Sequence, residues 1–106
     1  MSRPEPLDAA DVATWLDSHP TWRLEEGHLV RDVRTSKYSS AVELVVAQVA
    51  TAERLNHHPV ITVSYNGLHF ELWTHDRGGI TQLDLDYAEA LEVIIAGPFA
   101  DVVVAT

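Results

Sequence analysis

A chain of 106 residues is long enough to bury one core unaided, and without cysteine it has no disulfide framework, thiolate nucleophile or cysteine-built zinc site. Sixteen acidic residues against seven basic give a formal charge of −9, which repels phosphate backbones and anionic lipid and excludes nucleic acid and membrane surfaces as expected partners. Met1-Ser2-Arg3-Pro4-Glu5 lacks an apolar signal core, and no run approaches the roughly 18 apolar residues of a membrane span, so one soluble cytoplasmic domain over 1–106 is expected.

Residues 1–7 hold two prolines and little apolar content and read as a disordered lead-in. Asp8 is a candidate N-cap. Val12, Trp15, Leu16 and His19 follow at three-and-four spacing and predict a short amphipathic helix ending near Ser18 to Pro20. Trp22 to Leu24 and Leu29 to Val33 are extended candidates joined by Glu25-Glu26-Gly27-His28, where Gly27 supplies a positive φ, so a hairpin is predicted. Ser36 or Ser39 then caps a helix of about five turns whose stripe is Val42, Val45, Val49, Ala52 and Leu55.

Val60 to Tyr65 and Leu68 to Thr74 flank Asn66-Gly67, a dipeptide suited to a type I′ turn. Leu68, Phe70 and Leu72 alternate with His69, Glu71 and Trp73, giving one core face and one polar face. After the loop Asp76-Arg77-Gly78-Gly79, Thr81-x-x-Asp84 resembles a capping box opening a last helix with Asp84, Ala88, Leu91 and Ile95 on one stripe. Gly97-Pro98 ends it, leaving 98–106 as a tail whose apolar run Phe99 to Val104 is expected to pack on the core or on another subunit. The order helix, hairpin, helix, hairpin, helix predicts an α+β fold, a four-stranded antiparallel sheet with the helices on one face. Matching turn glycines at 27 and 67 hint at an internal duplication.

Three of the six histidines fall in Glu53-Arg54-Leu55-Asn56-His57-His58-Pro59 and Thr74-His75. Glu53 and His57, four apart, are expected to stand one above the other on a single helix face as a charge-assisted pair. Pro59 disfavours helix at the residue before it, so the helix is expected to end near His57 or His58 and to let the two neighbouring rings diverge. Imidazole both gives and takes protons near neutrality, and a cluster at one helix end suits acid–base chemistry. Two plainer readings stand beside this one: polar helix-end histidines without function, and metal ligands, although adjacent histidines seldom converge on one ion and no HExxH pattern is present. Trp22 and Trp73 are candidates to stack on a flat ligand, though large aromatics are more often core. Asp84 reads as a first-turn residue, and His19, His28 and His69 as surface residues without partners at readable spacing.

The whole pattern, Glu-x-x-x-His-His-Pro, then Tyr65 and Asn66, Thr74-His75, Gly79-x-Thr81 and Asp84, resembles the signature of the pterin-4a-carbinolamine dehydratases, with likeness from about Trp22 to Ala90. The resemblance implies dehydration of the 4a-hydroxytetrahydropterin released by aromatic amino acid hydroxylases, in tetrahydrobiopterin recycling, by a homodimer or homotetramer without metal or organic cofactor. Carried over by position, His57, His58 and His75 are the acid–base groups and Glu53 orients one of them. Asn56, Trp73 and Thr74 line the pterin pocket, and Trp22 and Asp84 are carried with the substrate-binding set. Val33 and Thr35 stand where members commonly have aromatics, and the tail is an addition; both bear on oligomer packing more than on chemistry. A non-catalytic interaction module on the same fold is the rival reading, and service to molybdenum-cofactor enzymes a third.

Overall fold

The structure, a computed structural model, describes residues 3–104. Its elements are α1 (Ala9–Asp17), β1 (Arg23–Glu25), β2 (His28–Thr35), α2 (Tyr38–Leu55), β3 (Val60–Ser64), β4 (Gly67–Leu72), a 3-10 turn (His75–Arg77), α3 (Gln82–Ala96) and β5 (Val103–Val104). The strands run β1-β2-β4-β3, antiparallel throughout, and the tail adds β5 to β2 at Arg34 and Thr35. This is the predicted α+β order with one short strand more.

Alternation along β2 and β4 sends Leu29, Val33, Leu68, Phe70 and Leu72 into one core with Ala41 and Leu44 of α2 and Leu85, Tyr87, Ala88 and Leu91 of α3. The opposite, outer face carries Arg23, His28, Asp32, His69 and Glu71. Val30 is only 1 % exposed there because Arg23 and Glu71 flank it in register. Phe99 and Val103 of the tail pack on the core, as their apolar run required. Residues 3–7, read as a lead-in, lie along the loop after β4, where the Leu7 N–H donates to the Ile80 carbonyl at 2.8 Å.

Two local readings change and a third holds only in position. Asp8 occupies the N-cap of α1, as predicted, but makes no side-chain cap bond. Neither Ser36 nor Ser39 caps α2: Lys37 sits at that position, because β2 continues to Thr35 and the Ser36 N–H is taken by the Val102 carbonyl. The buried stripe of α2 centres on Ala41, Leu44, Gln48 and Ala52, about one residue round from the predicted one: of the predicted set Ala52 is buried and Val45 and Leu55 pack against the core, whereas Val42 and Val49 are exposed. Gln48 tolerates burial because its amide donates to the Leu44 carbonyl and accepts from the Tyr87 hydroxyl.

The turns differ as well. Glu26 and Gly27 both have positive φ, as a type I′ turn requires, whereas the second hairpin turns at Tyr65-Asn66 and neither Asn66 nor Gly67 has positive φ. Gly67 is needed for another reason: a Cβ there would lie 2.5 Å from the Val33 carbonyl oxygen of the neighbouring strand.

Candidate active site

Helix α2 stops because Asn56 adopts the left-handed conformation, φ 48° and ψ 47°, which asparagine tolerates better than most residues. The Asn56 N–H then donates to the Glu53 carbonyl and the His57 N–H to the Ala52 carbonyl, the paired bonds of a Schellman motif. His57 is thereby off the helix and directed inward, 5 % exposed. The predicted Glu53–His57 pair does not form, since the four-residue spacing brings side chains together only while the helix continues. Glu53 faces His58 instead, at 3.8 Å, with both groups largely in solvent.

The partner of His57 is Asp84, whose Oδ1 lies 2.6 Å from His57 Nε2 and whose side chain is fully buried. Asp84 Oδ2 accepts from the Thr74 hydroxyl and from the Thr81 N–H, both at 2.9 Å, and the Thr74 and Thr81 hydroxyls are 2.8 Å apart. The predicted capping box is therefore present, and one carboxylate closes it while reaching across to the end of α2. Two donors, the Thr74 hydroxyl and the Thr81 N–H, converge on Asp84 Oδ2, which leaves Oδ1 to face His57 Nε2. A carboxylate offers only acceptors, so it pairs with the His57 tautomer protonated at Nε2, whose Nδ1 keeps a lone pair.

His75 follows Thr74 directly and is exposed on the first residue of the 3-10 turn. Its loop is closed at the base by the Thr74 N–H bonding to the Gly79 carbonyl at 2.9 Å, with Gly78 in the left-handed region at φ 66°. Glu53 and His58 line a cavity of about 220 Å³ with Gln48, Ala52, Pro59 and Ile61. A larger concavity, about 400 Å³, lies on the outer sheet face around Asp32, Arg34, Thr62, Ser64 and His69, away from the His57–Asp84 pair. Among the described residues no cluster of three or more His, Asp or Glu side chains is arranged to hold a metal ion.

The aromatic candidates separate. Trp22 belongs to the core, 4 % exposed, with its ring edge-on to Trp15, so it presents no free face to a ligand. Trp73 is half-buried on the outer face, where the His28 ring stacks on it at 3.8 Å and 5°, and His28 also meets Glu71 at 3.2 Å. His69 meets Asp32 at 2.5 Å and His19 stacks on Trp15, so all three histidines read as partnerless have partners. The two outer-face pairs join strands through register, which spacing in sequence does not display.

Residues 5–94 match the family model described as Pterin 4 alpha carbinolamine dehydratase. The chain belongs to this family. A relative from Chloroflexus aurantiacus, provisionally named a pterin-4-alpha-carbinolamine dehydratase, is 36% identical over 89 residues, 84% of this chain and 96% of its own length. One from Metallosphaera sedula with the same provisional name is 38% identical over 86 residues, 81% and 90% of the two chains. A crystal structure from Brucella melitensis, named a transcriptional coactivator/pterin dehydratase, superposes with a TM-score of 0.80 at 25% identity over 85% of this chain and 98% of that one. Within this dehydratase-family fold, the contact that sequence reading missed is His57 with Asp84. Its signal was the capping box, which placed Asp84 at the mouth of α3 but said nothing of a second acceptor oxygen.

Proposed function

We propose that the chain dehydrates a 4a-hydroxytetrahydropterin to the quinonoid dihydropterin and water by histidine acid–base catalysis, in tetrahydrobiopterin recycling downstream of a hydroxylase in the cytoplasm. The observation that carries the catalytic part is the buried His57–Asp84 pair, in a chain whose family bears that activity in its name. In the reaction the C4a–O bond breaks, the hydroxyl takes a proton and leaves as water, N5 gives up its proton, and a C4a=N5 bond forms. Nothing is oxidised or reduced, so an acid and a base suffice.

His57, held by Asp84 with Nδ1 free, is suited to be the base, because a carboxylate behind an imidazole fixes both tautomer and direction. The exposed His58 and His75 are suited to supply the proton, with Glu53 adjusting His58. Asn56, Trp73 and Thr74 remain the pocket residues of this reading, Thr74 mainly by holding Asp84. Trp22 acts through the core rather than on the pterin.

Self-association as a homodimer or homotetramer belongs to the same reading. Val42, Val46 and Val49 form an exposed ridge on α2, and Val60, Val63 and Tyr65 are exposed on and beside the edge strand β3. The name of the Brucella relative favours one second reading, an interaction module on this fold. Turnover separates the two: purified protein, extensively chelated, should accelerate loss of the carbinolamine absorbance over the uncatalysed rate. No acceleration with freshly generated substrate would leave the interaction module, and activity lost on chelation but restored by zinc would revive a metal mechanism.

A further inference from the structure

The loop carrying His75 is held from two sides. On the inside, Thr74 is tied to Asp84 and Thr81. On the outside lies the N-terminal segment before α1. Arg77 Nη2 donates to the Arg3 carbonyl at 2.9 Å while its Nη1 lies 3.5 Å from the Glu5 carboxylate. Arg3 in turn faces Asp76 at 3.8 Å, and the Leu7 N–H donates to the Ile80 carbonyl at 2.8 Å.

We infer that Arg77 is a positioning residue for His75: its guanidinium clamps the His75–Arg77 turn against residues 3–7 and so fixes where the exposed imidazole stands. The physical case is one of entropy and geometry. A three-residue 3-10 turn ending in a left-handed glycine has few bonds of its own, so an imidazole on it samples many directions unless something outside the loop restrains it. The planar fork of arginine reaches a carbonyl and a carboxylate together, which lysine with its single ammonium does not reproduce. The exposed ion pairs contribute little to global stability, so the clamp bears on the direction of His75 rather than on folding. Misplacing a reacting group by about an ångström is enough to cost on the order of a hundredfold in rate, so looser restraint is felt in turnover before it is felt in melting.

The inference rests on the proposed role of His75 in proton transfer, and the test separates the two. Turnover of a 4a-hydroxytetrahydropterin is measured for wild type, Arg77→Ala, Arg77→Lys, His75→Ala and the double variant Arg77→Ala with His75→Ala, alongside thermal melting and the NMR titration of the His75 ring. Arg77→Ala is expected to lower kcat by roughly three- to tenfold with KM and melting little changed, with Arg77→Lys intermediate. The His75 resonance should move and sharpen towards that of a freely rotating imidazole. In the His75→Ala background the same change should cost nothing more. Equal losses from Arg77→Ala in both backgrounds, or no loss in wild type, would overturn the inference while leaving His75 in place. Wild-type turnover by His75→Ala would remove the role of His75 and the clamp with it.

Discussion

Asp84 joins the two ends of the site, because one oxygen accepts from the Thr74 hydroxyl and the Thr81 N–H while the other meets His57 Nε2. Asp84→Asn keeps the shape but aims an amide donor at a donor, which should cost about 1–3 kcal/mol in denaturant unfolding and lower turnover roughly a hundredfold or more through the lost tautomer. Wild-type turnover by Asp84→Asn would show that His57 needs no such anchor. Asp32, on the outer face, has a pH signature of its own. Burial pushes its carboxyl up, but hydrogen bonds and charge from His69 and Arg23 outweigh this and hold it below its ordinary 3.8. A folded value below the unfolded one gives stability that is complete above the unfolded value and lost as pH falls through the folded one. Asp32→Asn should therefore lower the melting temperature at neutral pH and make progressively less difference as the pH falls below the ordinary 3.8, a small effect because the group is half exposed. A decrease that stays constant from neutral to acid pH would contradict it. Reading sequence at this scale found the histidines and missed their partners, since Asp84 lies 27 positions from His57 and Asp32 lies 37 from His69.

At the scale of elements, Gly67 and Gly27 make a controlled pair. An alanine at 67 drives a methyl into the Val33 carbonyl between the two central strands and should cost about 1–3 kcal/mol, as overpacking does. An alanine at 27 meets open space but inherits a φ of 80°, a cost of about 1 kcal/mol. Thermal unfolding of the two variants should rank 67 below 27, and the reverse order would return Gly67 to a turn role. The second hairpin was legible from alternating apolar residues on β4, yet the purpose of its glycine was not, because the crowding comes from β2, more than thirty residues earlier. Helix α2 teaches the same point. Its valines keep a helical period, but a period does not fix the phase, and the sheet chose the face with the smaller Ala41 and the polar Gln48.

For the whole molecule, element order and the antiparallel α+β class followed from local pattern, since each hairpin and helix carries its own turn and cap signals, whereas the strand order β1-β2-β4-β3 and the tail strand β5 are set by long-range pairing. What lay beyond local pattern was the surface left over, the outward ridge of Val42, Val46 and Val49 on a chain of high negative charge. Val46→Glu should shift the assembly to smaller species in analytical ultracentrifugation while leaving secondary structure intact, because a charge is costly to bury without a partner. An unchanged sedimentation profile would place the interface elsewhere. The central claim is that the buried His57–Asp84 pair moves the proton, and the most direct measurement is the dehydration rate of a 4a-hydroxytetrahydropterin by wild type, His57→Ala and His57→Ala combined with Asp84→Asn. His57→Ala should lose on the order of a hundred- to ten-thousandfold in turnover while still folding, and adding Asp84→Asn should cost little more, because the two act as one unit. A folded His57→Ala variant turning over substrate at the wild-type rate would contradict it.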